Sequence, residues 1–350
     1  MEKNVLAGRT IVFFGTADPA SPRNRQTIER IKKEGADVLY CVAPLLRFRA
    51  DGSRVFRGMP AMIAFSLKAL VTELSLLVTF LFRFRKTRDI LIGTLGHPDV
   101  LFFWPIKKLT GIRLLFDPLV SLYDTVILDR KLLKPHSFLA RILHGIDRLA
   151  FSIADEILID TRAHRDFLAQ EFGVDPEKFT VIPLYASSIF RPMNAVKDPA
   201  HFAVLFHGKF IPLHGIEKVL RAMAIIEHSG EGRIMLRIAG GGQTEPAMRR
   251  LAQELKLMNI EWLGWVPYGE LPTLINTADL CLGAFGDSDK ARRVIPHKVW
   301  EALACGKRVI SQKLTKPEAD PLLVDVHWTD PSPEAIAEAI LSESKRTNQQ

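Results

Sequence analysis

Short apolar runs alternate with stretches of helical spacing along almost the whole chain. Thr10–Phe14 (TIVFF) is a β-rich run that stops at a Gly15-Thr16 turn. Arg25–Lys33 has helical spacing, and Asp37–Val42 is a second strand. Ile90–Gly93, Arg113–Phe116 and Glu156–Ile159 read as further strands, with a helix over Phe138–Ala154, and Val181–Pro183 closes the series. Continuous apolar strands separated by helices predict a parallel sheet covered on both faces. A turn-rich stretch, Tyr185–Phe202, then breaks the pattern. The alternation restarts with strands at Phe202–His207, Met235–Ile238, Ile260–Leu263, Leu280–Ala284 and Arg308–Ser311. Helices are predicted at Gly215–Glu227, Glu245–Lys256, Glu270–Asn276, Pro296–Ala304 and Glu334–Ser344. The fold class is α/β: two doubly wound domains, 1–190 and 191–350, with a cleft between them and ligands at the carboxyl ends of the strands.

Composition keeps this picture and removes others. The 350 residues are 47% hydrophobic and 25% charged, which excludes disordered, collagen-like and low-complexity chains. Three cysteines, Cys41, Cys281 and Cys305, form no CxxC and no disulfide framework, so a reducing compartment is expected. The first residues mix charges into a run too short for a secretory core, and the expected location is cytoplasmic.

Charge adds an asymmetry. Residues 1–195 carry 28 Lys and Arg against 20 Asp and Glu, whereas residues 196–350 carry 19 of each. The excess is concentrated in 47–88, with nine basic and two acidic side chains. This block contains the most apolar window, a helix over Met59–Phe82 ending in Arg83-Phe84-Arg85-Lys86. Lys68 and Glu73 interrupt it and leave Leu74–Phe82, nine residues, as its longest uncharged run. That is short of the ~20 apolar residues a spanning helix needs. The helix either packs on the first domain with a solvated end or lies on an anionic membrane surface. Nucleic acid is not expected, since no recognised binding motif accompanies the charge.

Three segments carry candidate chemistry. In RIAGGGQTEPAMRRLA (237–252), Gly240, Gly241 and Gly242 stand between a strand and a helix. A glycine turn there either is simply tight or lets the backbone approach a phosphate beside a helix N-terminus. In FHGKFIPLHGIEKVLRA (206–222), a strand ends at Gly208, Lys209 follows, and His214-Gly215 opens a helix. Lys209 is either a solvated loop lysine or a cation within reach of a bound diphosphate; His214 is either a locally bonded helix-start residue or part of that site. In ARRVIPHKVWEALACGKRVIS (291–311), Pro296 opens a helix on which Lys298 and Glu301 lie three apart and can pair.

In this order the three segments resemble the C-terminal half of the family 4 retaining glycosyltransferases, which have the GT-B fold of two Rossmann-like domains. EWLGWVPYGELPTLINTADLCLGAF (261–285) continues the resemblance. In the first half, 116–135 and 146–168 look like the corresponding acceptor-side segments.

The resemblance implies a nucleotide-diphosphate sugar donor held by the C-terminal domain. Lys209 and His214 stand where the family has its diphosphate-binding Arg and Lys. Glu301 matches the ribose-binding glutamate, Gly264–Val266 the turn whose backbone reads the base, and Gly240–Gly242 the loop near the phosphates; Gly208, just before Lys209, is also expected to bind the donor. Gly15 and Thr16 match an N-terminal loop near those phosphates. His97 and Asp117 follow strands on the expected edge, either near the acceptor or in capping and packing roles. Arg293 stands where the family has a sugar-binding glutamate, and Lys298 and Arg293 are placed to compensate for the Lys-to-His change at 214. The implied reaction is transfer with retention to an acceptor, expected to be lipid-linked or part of a surface polysaccharide. Fixed cations would stabilise the departing diphosphate without metal or other cofactor. The Arg293 and His214 departures also suit a second reading, a GT-B protein that binds a nucleotide or partner without transfer.

Overall fold

A computed structural model describes residues 8–45 and 59–347. The chain divides into two compact units, Met1–Pro183 and Leu184–Gln350. The basic positions 47, 49, 54 and 57 fall outside the described residues.

The first unit contains β1 (Thr10–Gly15), α1 (Pro22–Lys33), β2 (Asp37–Val42), α2 (Met59–Arg83), β3 (Asp89–Ile92) and α3 (His97–Thr110). It continues with β4 (Arg113–Phe116), α4 (Phe138–Ile153), β5 (Glu156–Ile159), α5 (Arg162–Phe172) and β6 (Phe179–Val181). Its sheet is parallel throughout, in the order β2-β1-β3-β4-β5-β6. Alternation along β1 sorts the core. Val12 and Phe14 join Leu76, Phe80, Phe103 and Phe151 on one face, and Ile11 and Phe13 join Ile28 and Ile31 on the other. Both faces are covered, which is why β1 reads as an unbroken apolar run.

The second unit contains β7 (Phe202–His207), α6 (Ile216–His228), β8 (Ile234–Ala239), α7 (Glu245–Glu254), β9 (Ile260–Gly264) and α8 (Leu271–Thr277). After these come β10 (Leu280–Leu282), α9 (His297–Ala304), β11 (Arg308–Gln312), β12 (Val326–Thr329) and α10 (Pro333–Thr347). The order is β12-β11-β10-β7-β8-β9, again all parallel. In each sheet the strand order reverses once, beside β1 and beside β7. Ligands of open parallel sheets bind at the carboxyl ends next to such a reversal.

Three elements were not anticipated. Helix α3 carries Pro98 in its first turn and Pro105 inside, and interior proline speaks against a helix in sequence. It forms because Val100 and Phe103 bury fully against the sheet. Helix α5 had its signals in place: Thr161 accepts from the His164 N–H and Gly173 closes it in the left-handed region. Strand β12 is a four-residue edge strand, too short to show a period.

Helix α2 is apolar on two sides. Leu76 and Phe80 are buried, whereas Leu67, Leu70, Val71, Leu74, Val78, Leu81 and Phe82 are exposed. With only Lys68 and Glu73 as interior charges, Ala64–Arg83 is long and apolar enough to cross a membrane, with mean hydropathy 1.7 and 17% of it buried. Its buried side rests on β1, β2 and α3.

Candidate functional site

The predicted donor residues of the second unit lie around the carboxyl edge of its sheet. Strand β7 delivers Gly208 at φ +133°, where a Cβ would lie 3.5 Å from both the Lys298 Nζ and the His214 Cε1. A side chain there would fill the space these two groups line. Gly240, at φ +136°, follows β8; a Cβ on it would collide with the Gly208 carbonyl oxygen. The loops are tied through their backbones. The Gly208 N–H donates to the Ala239 carbonyl at 2.9 Å, the Phe210 N–H to Gly241 at 2.9 Å, and the Gly240 N–H to Gly264 at 2.6 Å. Thus Gly208, Gly240, Gly241, Gly242 and Gly264 belong to one cluster of loops after β7, β8 and β9. Val266, two residues beyond Gly264, is half-buried.

Polar groups from α9 and β7 complete the cluster. Glu301, buried on α9, accepts from His207 Nε2 at 3.0 Å. Burial pushes the Glu301 carboxyl up, but the His207 hydrogen bond and the charges of His207 and His297 outweigh it and hold it low. Glu301 therefore pairs with His207 on the strand rather than with Lys298 three positions earlier. His207, at the end of an apolar strand, gave no sequence signal for this role. Lys298 is also buried, and its Nζ sits 3.6 Å from the centre of the Phe206 ring.

Lys209 projects from the loop as an exposed side chain, while its carbonyl accepts from His214 Nδ1 at 2.5 Å. That bond places the neutral ring's proton on Nδ1, leaving Nε2 an acceptor; only the imidazolium can donate to an anion from Nε2. Arg293 is buried in the turn before α9, and its Nε donates to the Asp289 carbonyl at 3.1 Å.

In the first unit, Gly15 and Thr16 follow β1 and are held by Asp99 from α3. The Thr16 N–H donates to Asp99 Oδ1 at 2.7 Å and its hydroxyl to Oδ2 at 3.2 Å. Glu73, reaching in from α2, hydrogen-bonds the same carboxylate. Burial raises Glu73 to about 9, helped by the Asp99 charge, and raises Asp99 to about 6 against the bonds it receives. One proton is thus held between two buried acids, Glu73 as donor. A lone acid in an apolar helix was the only sign in the sequence, where it read as an interruption.

His97 and Asp117 are not open to an acceptor. His97 is fully buried, its Nε2 3.0 Å from Asp147 Oδ1 and its ring edge-on to Phe116. Asp117 is buried beneath Arg23, whose Nε lies 2.9 Å from both carboxylate oxygens, and accepts from Thr27. Both take the packing role, because buried charges require such partners. Among the described residues no three His, Cys, Asp or Glu side chains cluster as metal ligands.

Residues 194–347 match the sequence model of the family described as glycosyl transferases group 1. The fold is GT-B, two Rossmann-like domains each on a six-stranded parallel sheet. A sucrose-phosphate synthase from Thermosynechococcus elongatus aligns over 95% of this chain and 89% of its own, with a TM-score of 0.66 and 16% identity. Anabaena HepE in complex with UDP aligns over 97% and 90%, with a TM-score of 0.62 and 14% identity. A glycosyltransferase from Rickettsia africae aligns over 96% and 88%, with a TM-score of 0.62 and 14% identity. Among curated proteins, a D-inositol 3-phosphate glycosyltransferase from Segniliparus rotundus is 25% identical over 173 residues. That match spans 46% of this chain and 37% of the relative, well under two thirds of its length. The group 1 segment begins within the second unit and contains every predicted donor residue except Gly15 and Thr16.

Proposed function

We propose that the protein is a glycosyltransferase that moves a sugar from a nucleotide-diphosphate donor to an acceptor with retention of anomeric configuration. The observation that carries the reading is the convergence of Gly208, His214, the Gly240–Gly242 turn, Lys298 and Glu301 at the carboxyl edge of the group 1 segment. Breaking a sugar–diphosphate bond builds negative charge on the leaving oxygen. Peptide N–H groups of glycine loops, the exposed Lys209 and the start of α9 offer complementary charge. Glu301, kept ionised by His207, suits the two hydroxyls of a ribose as a fixed acceptor. HepE has been crystallised with UDP and with UDP-glucose, which supports a nucleotide sugar as donor here.

The acceptor side of the proposal rests on α2. Its outer face exposes Leu67, Leu70, Val71, Leu74, Val78, Leu81 and Phe82, and exposed Arg83, Arg85 and Lys86 follow. Apolar side chains backed by cations fit the boundary of an anionic membrane. The inner face of α2 is occupied by its own domain, which favours lying on the surface over crossing it. We accordingly place the protein in the cytoplasm, at the inner face of the cell membrane, acting on a lipid-linked or surface-polysaccharide intermediate. The test is a panel of nucleotide sugars with a membrane lipid extract, with the anomeric form of the product read by NMR. Transfer with inversion overturns retention. Binding of a nucleotide without transfer from any donor favours the non-catalytic reading, to which the sequestered Arg293 at the sugar position already lends support.

A further inference from the structure

Lys298 is out of keeping with its surroundings as a charged group. Its side chain is buried on the first turn of α9. Among the described residues its Nζ has no hydrogen-bond partner. It rests on the Phe206 ring at 3.6 Å and borders the space beside Gly208, where a Cβ would lie 3.5 Å from it. Glu301, three residues on, has given its carboxylate to His207. The first turn of a helix is also the wrong end for a cation. An ammonium here would be desolvated, unpaired and opposed by the helix. Burial accordingly pushes the Lys298 amine well below the usual lysine range, with the Glu301 charge the smaller, opposing influence.

A diphosphate would supply the missing charge partner. It brings negative charge that the site otherwise meets with the exposed Lys209 and with His214, which can donate from Nε2 only as the imidazolium. Resting on the donor reading given above, we propose that Lys298 stands uncharged in the empty site and takes up a proton from solvent as the nucleotide diphosphate arrives. Nucleotide binding is then coupled to proton uptake at this side chain. The other ionisable groups around it are His207 on β7, His214 on the turn after it, and His297 and Glu301 on its own helix. The terminal phosphate has finished titrating by about pH 8.5, and the difference between wild type and Lys298→Met separates the lysine's proton from any taken up by these groups.

The linkage has a sign. Between the proton affinities of the empty and the occupied site, the complex holds one more proton than its parts. Affinity therefore falls as pH rises, by up to tenfold per pH unit. The experiment is calorimetric titration of the full chain with UDP at pH 8.5, and with GDP and ADP if UDP does not bind. Each titration runs in two buffers of different ionisation enthalpy, so that the difference in heat counts protons. Wild type should take up about one proton per nucleotide. Lys298→Met should bind more weakly with no uptake. Lys298→Arg, charged at any accessible pH, should bind without uptake and restore most of the affinity lost in Lys298→Met. Wild-type binding without uptake, or equal uptake in Lys298→Met, overturns the inference while leaving the donor reading intact. If none of the three nucleotides binds, the donor reading fails and takes the inference with it.

Discussion

At the scale of single residues, two side chains divide the work at the proposed donor site. Glu301 is buried, ionised and fixed by His207 before any ligand arrives. It should contribute equally to substrate and transition state. Glu301→Ala should weaken UDP binding by roughly 10- to 100-fold, the worth of a charged hydrogen bond, with turnover at saturation little changed. Unaltered UDP affinity in that variant, measured by calorimetry, would remove Glu301 from the site. Lys209 is exposed; its charge matters most when the leaving oxygen becomes anionic. Lys209→Ala should lower kcat by roughly 100-fold with a smaller change in nucleotide affinity, read from saturation kinetics and binding in parallel. Much of this site was legible in sequence, because glycine loops and a helix-borne Glu mark themselves by spacing. His207 was not, since its role depends on the fold bringing the end of β7 within 3.0 Å of Glu301 on α9. His97 and Asp117 misled for the converse reason: position after a strand says nothing of the Asp147 and Arg23 that meet them in the fold.

At the scale of elements, α2 joins an exposed apolar face to a buried acid pair. The pair sets a pH dependence with a definite sign. The unfolded chain loses the Glu73 proton near 4.5, whereas the folded chain keeps it to about 9. The native state then binds more protons across that window, and stability falls as pH rises through it, by up to about 1.4 kcal/mol per pH unit for each proton retained. Asp99, raised to about 6, acts in the same direction over a narrower range. Glu73→Gln imitates the protonated form and can still donate to Asp99. Its melting temperature should therefore exceed that of wild type by a margin that widens from pH 6 to pH 9. Parallel melting curves across that range would show that the two acids do not share a proton. The outer face predicts separately. Leu74→Glu with Val78→Glu changes two exposed positions, 51% and 53% accessible, so thermal unfolding should be nearly unaffected. Flotation with vesicles containing anionic lipid should be lost in this variant, and in wild type it should weaken at high salt. Flotation equal to that of wild type would dismiss α2 as the contact. The sequence announced α2 through its hydropathy but not which face the domain covers, because both faces are apolar; only Glu73 distinguishes them, by needing a partner inside.

At the scale of the whole molecule, the two units are separately complete. Each has a six-stranded parallel sheet, helices on both faces and its own core; Val204, Phe206, Leu220, Met223, Leu236 and Ile340 are among the buried residues of the second. A unit of this size with its own core has the makings of an independent folding domain. The predicted donor residues other than Gly15 and Thr16 lie in Leu184–Gln350. The fragment 184–350 should therefore unfold in a single cooperative transition and bind UDP within about tenfold of the full chain, since a tenfold loss is only ~1.4 kcal/mol. The fragment 1–183 should fold without measurable nucleotide affinity, and the remaining tenfold is the margin allowed to the Gly15-Thr16 loop. Calorimetry on both fragments decides between two accounts of the donor site. Binding in the second fragment alone means that the glycine loops, Lys298 and Glu301 suffice. Binding only in the full chain means that the loop clasped by Asp99 is a principal contact, and the weight given to Lys298 and Glu301 must shift to the first unit.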